Sequence, residues 1–131
     1  MPFNIGISPT LKIRGIIATQ DIKKDQILEK CPIVLIPMAE EEHLKQTTLW
    51  KYYFEWNKGY HCMVLGYGSL FNHSYKPNAK YVFSFQQRFL VFKSIKDIAA
   101  GEEITVNYNF DPKDTKPLDP ILLDYNEHLP K

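Results

Sequence analysis

Two polar segments carry the residues of this 131-residue chain that are best suited to chemistry. Residues 66–78 read Gly-Tyr-Gly-Ser-Leu-Phe-Asn-His-Ser-Tyr-Lys-Pro-Asn, and residues 101–108 read Gly-Glu-Glu-Ile-Thr-Val-Asn-Tyr. Asn72 offers hydrogen-bond donors and an acceptor, and neutral His73 offers one of each. Such a pair suits a ligand with polar edges, such as a nucleoside or an amino acid. The structural alternative is that the polar residues of 72–78 only hydrogen-bond their own turn.

The order of the motifs favours a ligand site. Asn-His-Ser-x-x-Pro-Asn at 72–78, Gly-Glu-Glu-Ile-Thr-x-x-Tyr at 101–108 and Arg-Gly-Ile-Ile-Ala at 14–18 together resemble the SET domain of protein-lysine methyltransferases. The resemblance extends over about residues 11–108, and motifs of this length are far more specific than a lone glycine signature. The compact size is similar to that of small viral and bacterial members.

The resemblance implies a mainly β structure, the β-clip or SET fold. It consists of several small sheets of short strands, with one or two short helices and a C-terminal pseudoknot. This threading would bring residues 72–73 beside residues 107–108. A single domain over residues 1–131 is expected, with a core at 11–108 and a tail at 109–131 that closes the site.

The resemblance also implies a function, the transfer of a methyl group from S-adenosylmethionine to a lysine amine. Tyr108 matches the catalytic tyrosine, whose hydroxyl orients the amine and the methyl group. Where the family usually has glycine, this chain has Ile13, which is the one feature that supports an inactive SET-fold module binding peptide or cofactor. A small β-rich interaction domain unrelated to SET is the third alternative. The implied cofactor-binding residues are Ile13, Arg14, Gly15, Ile16, Phe71, Asn72, His73 and Tyr108.

The expected reaction needs alignment and a neutral amine more than a strong acid or base. A lysine has a reference pKa of roughly 10.4, so at pH 7 the neutral form is disfavoured by about 4 kcal/mol. A poorly hydrated aromatic channel and a nearby sulfonium charge both lower that pKa. By resemblance, the channel residues are Tyr67, Tyr81, Val106 and one of Tyr52 and Tyr53. By the same resemblance, Tyr81 favours mono- or dimethylation of the target lysine.

The tail departs from many SET enzymes, which close the channel with a cysteine-rich zinc site. This chain has no cysteine after Cys62, and its four histidines and two cysteines lack metal-ligand spacing, so no metal is expected. The lysine channel must then be closed by residues of the tail, with Phe110 and Tyr125 as candidates, or by a second subunit in a homodimer. Substrate specificity is expected from the tail and from residues 39–60.

Composition limits the partners. Hydrophobic residues make up 44% of the chain, enough for a core, and the net charge is +1. Residues 1–60 carry eight basic and seven acidic side chains, and residues 61–131 carry eight of each, so direct nucleic-acid binding by charge is not expected. No apolar run exceeds strand length, and the start lacks the pattern of a secretory signal. The expected partner is a lysine-bearing protein in the cytoplasm or nucleus, with histone-like proteins among the open classes, and no membrane association is expected.

The elements that must position these residues are mostly short strands. Residues 11–19 predict a strand bent or bulged at Gly15. Residues 21–25 predict a polar turn. Residues 26–36 predict a strand pair or one long strand, and Pro32 places this stretch at a sheet edge or at a break in pairing.

Further along the chain, the best predicted helix covers residues 39–50, with three glutamates in its first turn. Alternating apolar residues predict a hairpin over 79–93 that turns at Gln86–Gln87. Residues 103–108 predict another strand. Residues 110–131 predict an irregular tail with a short helix near 121–125.

Overall fold

A computed structural model describes residues 1–118 of the chain. Short strands account for most of the regular structure in this part, and helical turns are few, as the sequence predicted. The strands are β1 (Phe3–Ile7), β2 (Arg14–Ala18), β3 (Ile27–Pro37), β4 (Phe54–Asn57), β5 (Tyr60–Val64), β6 (Asn72–His73), β7 (Ala79–Ser84), β8 (Phe89–Ser94) and β9 (Glu103–Val106). The α-helix α1 is Glu41–Leu44, and 3₁₀ turns cover Met38–Glu40, Thr48–Lys51 and Gly68–Leu70. No helix among residues 1–118 is both long and apolar enough to cross a bilayer.

The strands form two sheets. One has the order β1-β2-β9-β6, and the other has the order β4-β5-β3-β8-β7. In the first sheet, β9 pairs antiparallel with β2, where Ile16 faces Ile104, and parallel with β6, where His73 faces Val106. The late strand β9 therefore lies between two earlier strands, an insertion consistent with the expected pseudoknot connection.

The long strand β3 shows where a proline can stand inside a sheet. Its first half pairs with β8 as far as Pro32, and its second half pairs with β5 from Ile33 onward. The Pro32 carbonyl still accepts a hydrogen bond of 2.9 Å from the Leu65 amide. Because Pro32 lies where the strand changes partner, its missing N–H costs no regular ladder bond. Of the two predicted alternatives, the break in pairing is correct.

The first strands differ from the prediction in one respect. β2 begins at Arg14 and pairs with β1 in an unbroken register in which Gly6 faces Gly15, so of the bend and the bulge predicted as alternatives at Gly15, the bulge is absent. The reason for glycine is steric. A Cβ at Gly15 would lie 2.5 Å from a carboxylate oxygen of Glu103 and 2.7 Å from the amide nitrogen of Asn72.

The predicted helix over residues 39–50 is much shorter in the structure. α1 ends at Leu44, its single buried residue, and no further apolar side chain continues that face. The Thr47 hydroxyl and amide both donate to the Leu44 carbonyl, at 2.8 and 3.0 Å, which closes the last turn. A side chain that bonds the backbone locally competes with continuation of the helix.

The predicted hairpin is correct. β7 and β8 pair from Ala79 with Ser94 to Ser84 with Phe89, and the connecting turn includes Gln86 and Gln87. The core beneath it joins both sheets, since Ile16 and Ile104 from one sheet pack in the same cluster as Phe92 from the other. Phe71 stacks on Phe92 with a centroid distance of 4.6 Å. The segment before Asn72 is thus anchored in the core.

Candidate active site

The two polar segments of the sequence meet at the β6–β9 pairing. Asn72 pairs with Thr105 and His73 with Val106, and the Ser74 amide donates to the Val106 carbonyl at 2.9 Å. The parallel register carries the chain after β9 directly past the Asn72–His73 dipeptide. Residues about 35 positions apart in sequence therefore share one site.

Tyr108 is attached to this segment at two points. Its amide donates to Nδ1 of His73 at 3.0 Å, and its hydroxyl donates to the Phe71 carbonyl at 2.7 Å. The tyrosine and histidine rings lie 5.2 Å apart, and Tyr108 is half-buried. The backbone and the hydroxyl of the predicted catalytic tyrosine are thereby both oriented by the segment Phe71–His73.

His73 is held as a neutral ring with one unused donor. Because Nδ1 accepts the Tyr108 amide, the hydrogen of the neutral imidazole resides on Nε2. Nε2 is buried and has no hydrogen-bond partner among residues 1–118. Burial lowers the pKa of His73, since it penalises the charged form. This arrangement suits a ligand acceptor better than it suits general-base chemistry.

Asn72 belongs to a polar node that the sequence analysis did not identify as such. Its buried amide nitrogen donates to the Arg14 carbonyl at 3.0 Å and to Oε2 of Glu103 at 2.7 Å. Oε1 of Glu103 accepts the hydroxyl of the fully buried Ser8 at 2.5 Å. We call Ser8, Arg14, Asn72 and Glu103 the Glu103 node. It ties the β1–β2 loop, β6 and β9 together.

Glu103 and Ser8 were missed because their roles depend on long-range contacts. Glu103 is part of the Gly-Glu-Glu-Ile-Thr motif, which was the available signal, but nothing local distinguishes it from Glu102. The structural alternative for residues 72–78 applies to Ser74 alone, whose hydroxyl accepts the Lys76 amide at 3.0 Å. Asn78 instead bridges to β9, donating to the Glu103 carbonyl at 2.8 Å and accepting the Thr105 amide at 2.9 Å.

The expected N-terminal cofactor residues lie around the start of β2. Ile13 and Ile16 are buried core side chains, and the Ile13 carbonyl accepts the Ser8 amide at 2.7 Å. The Arg14 carbonyl accepts the Asn72 amide, and the backbone at Gly15 lies close to both Asn72 and Glu103. At Ile13, where the family usually has glycine, this chain uses the side chain to fill the core.

A cleft of about 620 Å³ opens beside Tyr108. Its wall includes Tyr52, Tyr53, Tyr81 and Phe71. Three of the predicted channel tyrosines thus share one cavity with the predicted catalytic tyrosine. Both alternatives of the Tyr52 and Tyr53 pair line it.

Two predicted channel residues lie elsewhere. The ring of Tyr67 packs edge-on against Phe3, with a centroid distance of 5.7 Å, and Val106 is fully buried in β9. Neither lines the cleft. Val106 lies on the same buried face of β9 as Ile104, two positions earlier, so its side chain points into the core.

Tyr81 is the most deeply buried of the cleft tyrosines. Its hydroxyl donates to the Tyr108 carbonyl at 3.4 Å, a long contact. Burial, followed by the negative charge of Glu55, raises the pKa of Tyr81. The hydroxyl therefore stays protonated at neutral pH and remains a hydrogen-bond donor.

The segment after Tyr108 forms one wall of the cleft. Buried Asn107 donates to the Asp114 carbonyl at 2.8 Å, and Asn109 donates to the Lys116 carbonyl at 2.8 Å. Phe110, one of the two predicted closing residues, lines the cleft, whereas Tyr125 and the predicted helix near 121–125 lie outside the described residues. Cleft walls carry both charge signs, from Glu55 and Asp114 and from Lys51 and Lys116.

Residues 1–118 contain no cluster of three or more histidine, cysteine, aspartate or glutamate side chains that could hold an ion. Cys31 and Cys62 are buried free thiols. Burial raises the pKa of each to about 12, so both stay protonated and unreactive at neutral pH.

Comparison with known proteins agrees with the geometry. The family model of the SET domain matches residues 13–109. The H3 lysine-37-specific histone-lysine N-methyltransferase of Schizosaccharomyces pombe is 29% identical over 98 residues, which are 74% of this chain and 67% of that protein.

Solved structures point the same way. A candidate histone methyltransferase of Plasmodium falciparum superimposes with a TM-score of 0.69 and 32% identity, covering 82% of this chain and 92% of that one. A humanised Chaetomium thermophilum Polycomb Repressive Complex 2 bound to the inhibitor GSK126 shares the fold, with a TM-score of 0.66 and 22% identity over 83% of this chain and 15% of that chain. With its motifs joined at the β6–β9 pairing, this chain belongs to the SET-domain family of protein-lysine N-methyltransferases.

Proposed function

We propose that this chain transfers a methyl group from S-adenosylmethionine to a lysine side chain of a histone-like protein. The observation that carries the proposal is the attachment of Tyr108 to Phe71 and His73 at the wall of an aromatic cleft. The names of the S. pombe and P. falciparum relatives support a histone as the substrate class.

The residues present fit the proposed cofactor. Buried Nε2 of His73 is a donor without a partner in the described part of the chain, as expected where a ligand acceptor completes the site. His73 would hold the adenine end of the cofactor through its ring and backbone, beside the backbone of Arg14 and Gly15. When bound, S-adenosylmethionine supplies a methyl group activated by its sulfonium charge.

The cleft would prepare the lysine. Its tyrosine and phenylalanine walls pack against the alkyl stem and exclude water around the amine. Removing water disfavours the ammonium form, and this lowers the lysine pKa from its reference value of roughly 10.4. The proton leaves to solvent before transfer, so no side chain has to act as a strong base.

Tyr108 would align the reaction. Its hydroxyl donates to the Phe71 carbonyl, and this bond fixes the position of the hydroxyl oxygen at the wall of the cleft. A fixed hydroxyl oxygen positions the nitrogen for in-line attack, and such orientation lowers the barrier without a change in charge. Tyr81 stands next to this point and would limit how many methyl groups the amine accepts.

The test is a methyl-transfer assay with radiolabelled S-adenosylmethionine and core histones, with products mapped by mass spectrometry. Tyr108→Phe keeps the ring and removes the hydroxyl, so transfer should fall by at least about 100-fold. Binding of S-adenosylhomocysteine should stay close to the wild-type value. Tyr60→Phe is the matched control, since Tyr60 is exposed on β5 and does not line the cleft.

Two results would contradict the proposal. Equal transfer by wild type and Tyr108→Phe would remove the role of the hydroxyl. Binding of S-adenosylhomocysteine without transfer to any histone would instead favour a SET-fold module that holds cofactor or peptide. We also propose an intracellular location, nuclear if the substrate is chromatin, because the two free thiols suit a reducing compartment.

A further inference from the structure

Four aromatic rings form a continuous surface at one side of the cleft, which we call the aromatic shelf. Phe83 stacks with Phe85 at 5.3 Å and with Phe110 at 5.4 Å, and Trp56 packs edge-on against both Phe83 and Phe85. Phe85 is 50% exposed and Phe110 is 48% exposed. Large rings that are stacked and still half in water mark a contact surface more often than a core.

The shelf is continuous with the proposed lysine channel. Trp56, Phe83 and Phe110 also line the cleft. The ring of Phe110 lies 5.5 Å from that of Tyr81, whose hydroxyl contacts the Tyr108 carbonyl. A chain of rings therefore leads from the residue beside the reacting centre out to exposed Phe85.

The backbone at Phe110 holds its ring on the shelf under strain. Phe110 has a φ of 74°, in the left-handed region that bulky residues rarely adopt. Its amide donates to the Asn107 carbonyl at 3.0 Å, which stabilises the turn. Backbone strain of this kind concentrates at functional sites. Here the strained residue carries a ring that is half exposed, so burial of the ring does little to offset the strain.

The size of the shelf identifies its occupant. A phenylalanine ring presents roughly 200 Å², so two half-exposed rings offer about 200 Å². A stable dimer buries about 800 Å² per partner, far more than the shelf can supply. One or two side chains of an extended peptide match the available area. Because the rings of the shelf are uncharged, they favour apolar side chains.

We propose that the aromatic shelf receives an apolar side chain of the substrate polypeptide close to the methylated lysine. The inference rests on the proposed function, because it assigns the substrate of the same site. Three ring-to-ring steps of 5.3 to 5.5 Å separate Tyr81 from Phe85. An extended peptide covers that distance in at most about five residues. The shelf thus reads one position within about five residues of the lysine.

The experiment uses the full chain, radiolabelled S-adenosylmethionine and a library of lysine-centred peptides randomised at the flanking positions. Wild type should prefer Leu, Ile, Met or Phe over Asp at one flanking position by about tenfold. Phe85→Ser should reduce that preference to below about twofold through a higher peptide KM, with kcat on the best peptide retained. Phe85→Glu should move the preference to Lys or Arg at the same position.

Val82→Ser is the matched control. Val82 is similarly exposed and lies on β7, which ends just before Phe85, but it points to the opposite face from Phe83, so its substitution should leave the preference intact. Transfer by wild type without a flanking preference, or an unchanged preference in both Phe85 variants, would overturn the shelf proposal and leave the proposed function standing. If analytical ultracentrifugation showed that Phe85→Ser changes the oligomeric state, the shelf would be an interface with a second copy of this chain, and the shelf proposal would be overturned. No transfer to any peptide or histone would overturn both proposals.

Discussion

Glu103 should stabilise the fold and the cofactor site together, and Glu103→Gln tests this role. The substitution preserves the size of the side chain and removes its charge. In the wild type, one carboxylate oxygen accepts the Ser8 hydroxyl and the other accepts the Asn72 amide. A glutamine has only one acceptor oxygen, so its amide nitrogen must face either another donor or the Ser8 oxygen.

The magnitude follows from these two bonds. Each hydrogen bond to a charged acceptor contributes about 1.5–3 kcal/mol, and a neutral bond contributes about 1 kcal/mol. The Ser8 hydroxyl can rotate to accept from the new amide, but its oxygen already accepts the Leu11 amide at 3.0 Å. One strong bond is therefore weakened and the other is lost or reversed. We expect a loss of about 2 kcal/mol in the free energy of unfolding.

Urea unfolding followed by circular dichroism measures this loss, and thermal unfolding should show a melting temperature roughly 6–10 °C lower. Binding of S-adenosylhomocysteine, measured by calorimetry, should also weaken, because Asn72 holds the Arg14 carbonyl only while Glu103 orients its amide. Glu102→Gln is the control, since Glu102 is exposed, and it should change stability by less than about 0.5 kcal/mol. If the two variants were equally stable, the reasoning about the Glu103 node would be refuted.

Two further predictions concern the site. Tyr81→Phe removes the hydroxyl beside Tyr108 and should increase the share of dimethyl and trimethyl product, which intact-mass analysis of the peptide would detect; an unchanged product distribution would count against Tyr81 as the limiting residue. His73 has a pKa lowered by burial, so the unfolded chain binds a proton at a pH where the folded chain does not. Its contribution to stability is present above the unfolded pKa of roughly 6.5 and is lost as the pH falls toward the folded value. His73→Asn keeps an acceptor for the Tyr108 amide, and its unfolding free energy should fall less between pH 7.5 and pH 5 than that of the wild type; an equal fall in both proteins would show that His73 does not titrate in this way.

The Glu103 node and the cleft have different roles in the site. Asn72 and Glu103 satisfy each other and the backbone around Gly15, so their main contribution is to shape. His73 retains a buried nitrogen donor that a ligand can use, and the Tyr108 hydroxyl is held at the cleft by the Phe71 carbonyl. Of these two adjacent residues, Asn72 therefore directs its side chain at the protein, and His73 keeps one ring nitrogen for a ligand.

Several features could be predicted from the sequence because they depend on local patterns. Alternating apolar residues specified the β7–β8 hairpin, and the ordered motifs specified the family and the mainly β class. The helix over 39–50 was overpredicted for a local reason that single-residue propensities do not capture. A threonine side chain closed the helix after Leu44, where no second apolar residue could hold the next turn against the core.

Other features required the tertiary structure. Which half of β3 pairs with which strand, and which tyrosines share the cleft, depend on contacts between residues tens of positions apart. Motif order alone predicted that Asn72, His73 and Tyr108 lie at one site, and the β6–β9 pairing brings them together. Only the fold decided that Glu103 holds Asn72, that Tyr67 and Val106 lie outside the cleft, and that Phe85 and Phe110 extend it. The physical reason is that side-chain direction depends on strand pairing and register, which are set by the packing of the whole core and not by any one segment.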